Sequence, residues 1–111
     1  RAEEGKFDLK QSPGGMVDIE FIAQYLVLMH AGQSGKALCR WSDNLRIFAT
    51  SRELGLLTET EAKALTDAYC HLRDAAHRLT LNKQPRIVSD QLFIEERNAV
   101  QAIWQKLLSV N

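Results

Sequence analysis

The stretch that most constrains the fold lies between residues 58 and 79. "TETE", residues 58–61, has the Thr-x-x-Glu spacing of a capping box, in which Thr58 and Glu61 serve each other's backbone amides at a helix start. Behind it Ala62, Leu65, Tyr69, Leu72, Ala76 and Leu79 recur at alternating steps of three and four. On a helix this spacing gathers them on one stripe, and a stripe that long has to be covered by other helices. Asp74 and Arg78 stand one turn apart on the outer face, spaced for an ion pair.

The rest of the chain divides around that helix. Residues 16–29 are apolar except for Asp18, Glu20 and Gln24, which predicts a helix buried on most sides. "AGQSGK", residues 31–36, reads as a loop. A second helix is expected from "WSDN", with Ser42 or Asp43 as N-cap, to about Leu54, where Gly55 suits the position just past the end. Pro85 breaks the pattern after the third helix, and a last helix is expected from residues 89–92 onward. Phe93, Val100, Ile103, Trp104 and Leu107 form its core face. At the other end, "KFDLK" alternates Phe7 and Leu9 with polar residues, as the last strand of an upstream sheet would. No strand hairpin is predicted. The fold class is all-α: an antiparallel bundle of about four main helices with a short irregular N-terminal lead-in. Residues 1–15 form the lead-in and linker, and residues 16–111 the bundle domain.

Composition narrows the partners. The 111 residues carry 14 basic and 14 acidic side chains, so the net charge is zero. With no basic run longer than two residues, the chain lacks the electrostatic signature of nucleic-acid or anionic-membrane binding. No apolar run is long enough to span a bilayer. Cys39 and Cys70 lack metal-ligand spacing and read as thiols in a reducing cytoplasm. The opening "RAEEGKFDLK" reads like the middle of a longer protein, so the sequence is treated as an excised piece.

The segment with most chemical interest is "SPGGMVDIEF", residues 12–21. Asp18 and Glu20, two apart, would share a metal ion on a strand. On a helix they point about 200° apart and do not. Asp18 sits on the face of Ile22, Tyr25 and Met29 in the first helical turn, where an acid caps the helix, meets a neighbouring domain, or serves a site. Gly14 and Gly15 could cradle a phosphate at a helix start, but they fail phosphate-loop spacing and read as a linker. His71 and His77 are six apart, on opposite helix faces, and do not form a ligand pair; with His30 they are expected at the surface or rim. "CRWSDNLR", residues 39–46, reads as a polar contact surface or as a capped helix start with a buried Trp41.

Three stretches carry a family resemblance: "FDLKQSPGGMVDIEFIAQYLVL" (7–28), "RWSDNLRI" (40–47) and "IWQKLL" (103–108). They resemble the bifunctional glutamine synthetase adenylyltransferase/adenylyl-removing enzymes, specifically the helical domain ending the C-terminal half; the related uridylyltransferases match less well. The resemblance implies two nucleotidyltransferase halves joined by a regulatory segment, each half a catalytic domain followed by a helical bundle. One half moves AMP from ATP to a tyrosine of glutamine synthetase, and the other removes it by phosphorolysis. Glutamine and the PII signal protein set the balance. ATP and Mg2+ would be held mainly by the missing upstream nucleotidyltransferase domain. The family's Gly-Ser … Asp-x-Asp metal-holding arrangement does not occur in this sequence, which implies that the piece alone has no catalytic or metal-binding residues and transfers no AMP.

Under the resemblance Lys10, Gly14, Gly15 and Asp18 become candidate residues facing the nucleotide cleft at the domain junction. The alternatives are a module that docks glutamine synthetase or PII without facing ATP, and a structural spacer.

Overall fold

The computed structural model describes residues 4–34 and 43–108. Among these, the order is β1 (Lys6–Asp8), α1 (Met16–Ser34), α2 (Asn44–Glu53), α3 (Glu59–Leu81), β2 (Ile87–Ser89) and α4 (Ile94–Leu108). Four helices make the body of the fold, and α1 packs against each of the other three.

The long third helix forms as its sequence dictates. Thr58 Oγ1 accepts from the Glu61 amide at 3.0 Å, and Glu61 Oε1 accepts from the Thr58 amide at 2.9 Å, completing the capping box. Ala62, Leu65, Leu72 and Ala76 are buried, and Tyr69 and Leu79 pack against the same core. Asp74 faces Arg73 at 4.0 Å instead of the expected Arg78. Both side chains are exposed, so solvent leaves little preference between two such pairs. Helix α4 returns antiparallel to α3: Lys106 near its end pairs with Glu61 at the start of α3, and Glu96 near its start pairs with His71.

Helix α2 is capped by Asp43, whose Oδ1 accepts from the Leu45 amide at 2.9 Å; Ser42 lies outside the described residues, as does Trp41. Gly55 follows the helix at φ +82°, a conformation a side chain would strain. Ile47 and Phe48 of α2 enter the core beside Ile19, Ile22 and Leu26 of α1.

Several expectations are corrected. β1 pairs antiparallel with β2 within the chain, Phe7 opposite Val88, a partner the sequence did not predict. Three residues of β2 are too few to show alternation, which is why no such pairing was expected. Phe7 and Leu9 face inward and are fully buried, so the lead-in shares the core of the helices. The expected loop at 31–36 is helical through Ser34, with Gly35 and Lys36 outside the described residues. Helix α4 begins at Ile94, later than expected, because Ser89 belongs to β2 and residues 90–93 make the turn.

Helix α1 departs most from its reading. It is buried on one side only. Val17, Phe21 and Leu28 are 37%, 51% and 72% exposed and fall on one stripe of the helix. His30, expected at the surface or rim, is buried. Cys70 is a free thiol, and Cys39 lies outside the described residues.

Candidate functional site

The start of α1 is built by backbone and side-chain acceptors together. Residues after β1 turn sharply, with Asp8 Oδ1 accepting from the Lys10 and Gln11 amides and Ser12 Oγ accepting from the Asp8 amide. The chain then folds back so that the amides of Met16 and Val17 donate to the carbonyls of Leu9 and Lys10 at 2.9 and 3.0 Å. The Gly15 amide donates to the Ser12 carbonyl, and the Gly14 amide to Asp18 Oδ2 at 2.7 Å. A helix start normally leaves its first amides without intrahelical partners and so attracts anions. Here four consecutive amides, Gly14 to Val17, already donate within the chain.

Both glycines serve close approach. Gly14 lies at φ +83°, and a Cβ there would meet the Arg97 carbonyl oxygen at 2.9 Å. A Cβ on Gly15 would meet the Leu9 carbonyl oxygen at 2.8 Å. The Arg97 that presses on Gly14 is a brace missed by sequence reasoning. Its guanidinium lies 4.3 Å from the centre of the Phe7 ring, and its Nη1 donates to the Asp90 carbonyl at 2.7 Å. It thus ties β1, the turn after β2 and α4 together. No spacing rule relates Arg97 to Phe7, ninety residues away, so only the tertiary fold reveals it.

Asp18 has two surroundings. One oxygen caps the turn through Gly14. The side chain also borders a cleft of about 530 Å³ with Pro13, Gln101, Ala102, Trp104 and Gln105. Gln101 and Gln105 stand one turn apart on α4, and Trp104 stacks on Phe21 of α1 with ring centres 5.1 Å apart. Trp104 had been placed on the core face, and the structure packs it at the core's edge, where it also forms a cleft wall. Lys10, Gly14 and Gly15 lie in the turn beside this cleft without lining it. Glu20 is part of neither the cap nor the cleft lining.

Among the described residues no group of three or more His, Cys, Asp or Glu side chains is placed to hold a metal ion. His71 Nδ1 instead lies 2.7 Å from Glu96 Oε2, joining α3 to α4. Among the described residues, Glu61 is the titrating group whose environment departs clearly from the ordinary. Burial alone would raise its pKa, but hydrogen bonds from Lys106 and from Thr58, with the Lys106 charge, outweigh it and hold the carboxyl below the usual 4.5. This pair fastens the bundle at the end of α4 and is no part of the cleft. No helix among the described residues is long and apolar enough to cross a membrane.

Comparison with known proteins agrees with the motifs. The family model described as GlnD PII-uridylyltransferase matches residues 1–106. A bifunctional glutamine synthetase adenylyltransferase/adenylyl-removing enzyme from Psychromonas ingrahamii is 68% identical over 108 residues, 97% of this chain and 11% of the relative. Enzymes of the same name from Shewanella loihica and Mannheimia succiniciproducens are 49% and 48% identical, over 98% and 96% of the chain. The chain spans 11% of the length of each of these relatives. Matched along nearly all of its own length by both the family model and these enzymes, the chain belongs to the GlnD PII-uridylyltransferase family, as a segment akin to its glutamine synthetase adenylyltransferase members.

Proposed function

We propose that this chain is a helical, non-catalytic part of an enzyme that regulates glutamine synthetase, transferring AMP from ATP to a tyrosine and removing it through a second active centre. It would lie at the end of the C-terminal half, in the cytoplasm, and form one wall of the adenylylating cleft beside an upstream nucleotidyltransferase domain. The observation that carries the reading is the exposed stripe of Val17, Phe21 and Leu28, which starts two residues after the Gly14–Gly15 turn. A face that apolar is normally covered, and relatives about nine times as long have the chain to cover it. Lys10, Gly14, Gly15 and Asp18 would then sit at the hinge between cleft and bundle.

The residues present do not fit a magnesium ion. Asp18 uses one oxygen on its cap, and no further acid joins it in the cleft lining. ATP and Mg2+ therefore belong to the remainder of the enzyme in this reading. The second reading, a surface that docks glutamine synthetase or PII, is favoured by a cleft that no cation lines among the described residues, which suits a protein side chain better than a phosphate.

The test is AMP transfer to glutamine synthetase from labelled ATP. The intact enzyme with Asp18→Ala should transfer more slowly by a larger factor than its loss of stability explains. Unchanged turnover with a lowered melting temperature would reduce Asp18 to a cap. Labelling by the isolated chain would overturn the non-catalytic assignment.

A further inference from the structure

We propose that the cleft between the α1 hinge and α4 is a docking pocket for an arginine side chain of a protein partner, with apolar neighbours of that arginine lying along Val17, Phe21 and Leu28. The proposal deepens the reading that this face meets protein, and its test does not require that reading's enzymatic part.

The pocket's chemistry selects the guest. Among the described residues, its one formal charge is the Asp18 carboxylate, and no Lys, Arg or His lines it. One Asp18 oxygen is held by the Gly14 amide, which fixes the carboxylate in place and leaves the other oxygen for a donor. Gln101 and Gln105 add two carboxamide oxygens one turn apart. The Trp104 indole lines the pocket as a flat aromatic group, with the Phe21 ring centre 5.1 Å from its own. An anion would meet the carboxylate with no compensating cation. A neutral apolar guest would leave the carboxylate desolvated and unpaired. A guanidinium offers what each part of the lining can use: a planar face for the indole and a fan of donors for three separate acceptors. An ammonium would satisfy the carboxylate but would stack less well and reach fewer acceptors. The volume, about 530 Å³, is ample for one such side chain.

The surroundings match a protein guest. Phe21, whose ring contacts Trp104, belongs to the same exposed stripe as Val17 and Leu28. A desolvated arginine beside aromatic and aliphatic contacts is the composition of an interface hot spot.

The test is a titration of the isotopically labelled chain with N-acetylargininamide, followed by the Trp104 indole and the Gln101 and Gln105 side-chain amide signals. Saturable shifts are expected, with roughly millimolar dissociation for so small a probe. N-acetyllysinamide should bind several-fold more weakly and N-acetylnorleucinamide should leave the signals in place. Asp18→Asn keeps an oxygen for the Gly14 amide but removes the charge, and should weaken the arginine response about tenfold without unfolding α1. Gln105→Lys, which supplies the pocket with its own cation, should abolish it at unchanged melting temperature. Three results would overturn the proposal: AMP shifting the same signals more strongly than arginine, norleucinamide matching argininamide, or a self-associated chain burying Trp104. Intact enzyme that transfers AMP normally with Asp18→Asn, while the arginine response is lost, would remove the cleft-wall reading and leave the pocket standing.

Discussion

Gly14 and Arg97 approach so closely that a methyl group between them has no room: a Cβ on Gly14 would lie 2.9 Å from the Arg97 carbonyl oxygen and 3.0 Å from its Cα. Both contacts are to backbone, which cannot swing aside. Gly14 is also at φ +83°, where a side chain is strained on its own account. Gly14→Ala should therefore cost more than about 2 kcal/mol of folding stability. Gly5 is at φ +79° with open space around its Cβ direction, so Gly5→Ala should cost only about 1 kcal/mol. Chemical denaturation of the two variants checks the difference. Equal losses would mean that the Arg97 contact contributes nothing.

Asp18 should separate into cap and charge. Asp18→Ala removes the acceptor of the Gly14 amide and should destabilise the chain by about 1 kcal/mol. Asp18→Asn should recover most of that loss. Thermal melting of both variants is the measurement, and identical losses would show that the charge, not the hydrogen bond, stabilises the turn.

The Glu61–Lys106 pair predicts an acid-side loss of stability. The folded pKa of Glu61 is held below 4.5, so its contribution is fully present above that value. It is lost as pH falls through the lower, folded value. Lys106 is 59% exposed against 15% for Glu61, so solvent and salt screen part of the pairing. Melting temperatures from neutral to about pH 3 should fall less steeply in Glu61→Gln than in the parent chain. Thr58→Ala should cost about 1 kcal/mol at neutral pH by opening the capping box. A parallel acid limb in Glu61→Gln would assign the loss to other carboxylates.

The outer stripe of α1 should be dispensable to the chain and important to the enzyme. Leu28 is largely exposed, so Leu28→Ser should change the chain's stability by no more than about 0.5 kcal/mol. In the intact enzyme the same change should lower stability or AMP transfer clearly. If neither moves, Leu28 has no neighbour there.

What the sequence made legible follows the physics of local signals. The Thr58–Glu61 box and the seam behind it are contained within a few turns, and the structure reproduces both. Asp43 and Gly55 mark the ends of α2 for the same reason. Helix α1 was misjudged because an uninterrupted apolar run looks the same whether its neighbours are present or not. The β1–β2 pairing was missed because it joins segments about eighty residues apart through three residues each. In the cleft, Asp18 was singled out by its place at a helix start. Gln101 and Gln105 had the i,i+4 spacing that could have flagged them, but nothing local pairs α4 with the turn at Pro13. Arg97 gave no signal at all.

Leu9 is a single knot with two strings. Its amide donates to the Arg86 carbonyl at 2.8 Å, and its carbonyl receives the Met16 amide that begins α1. The placement of Asp18 is therefore governed by residues that follow α3, far along the chain. A slip of one residue between β1 and β2 would turn Phe7 and Leu9 toward water and let go of the amides that start the helix. Local helices form quickly and distant strand pairs slowly. The hinge would thus be the last part of the molecule to acquire its shape, and a chain cut short of Ile87 would lose β2 and α4 together, and with them the strand pairing that holds the turn.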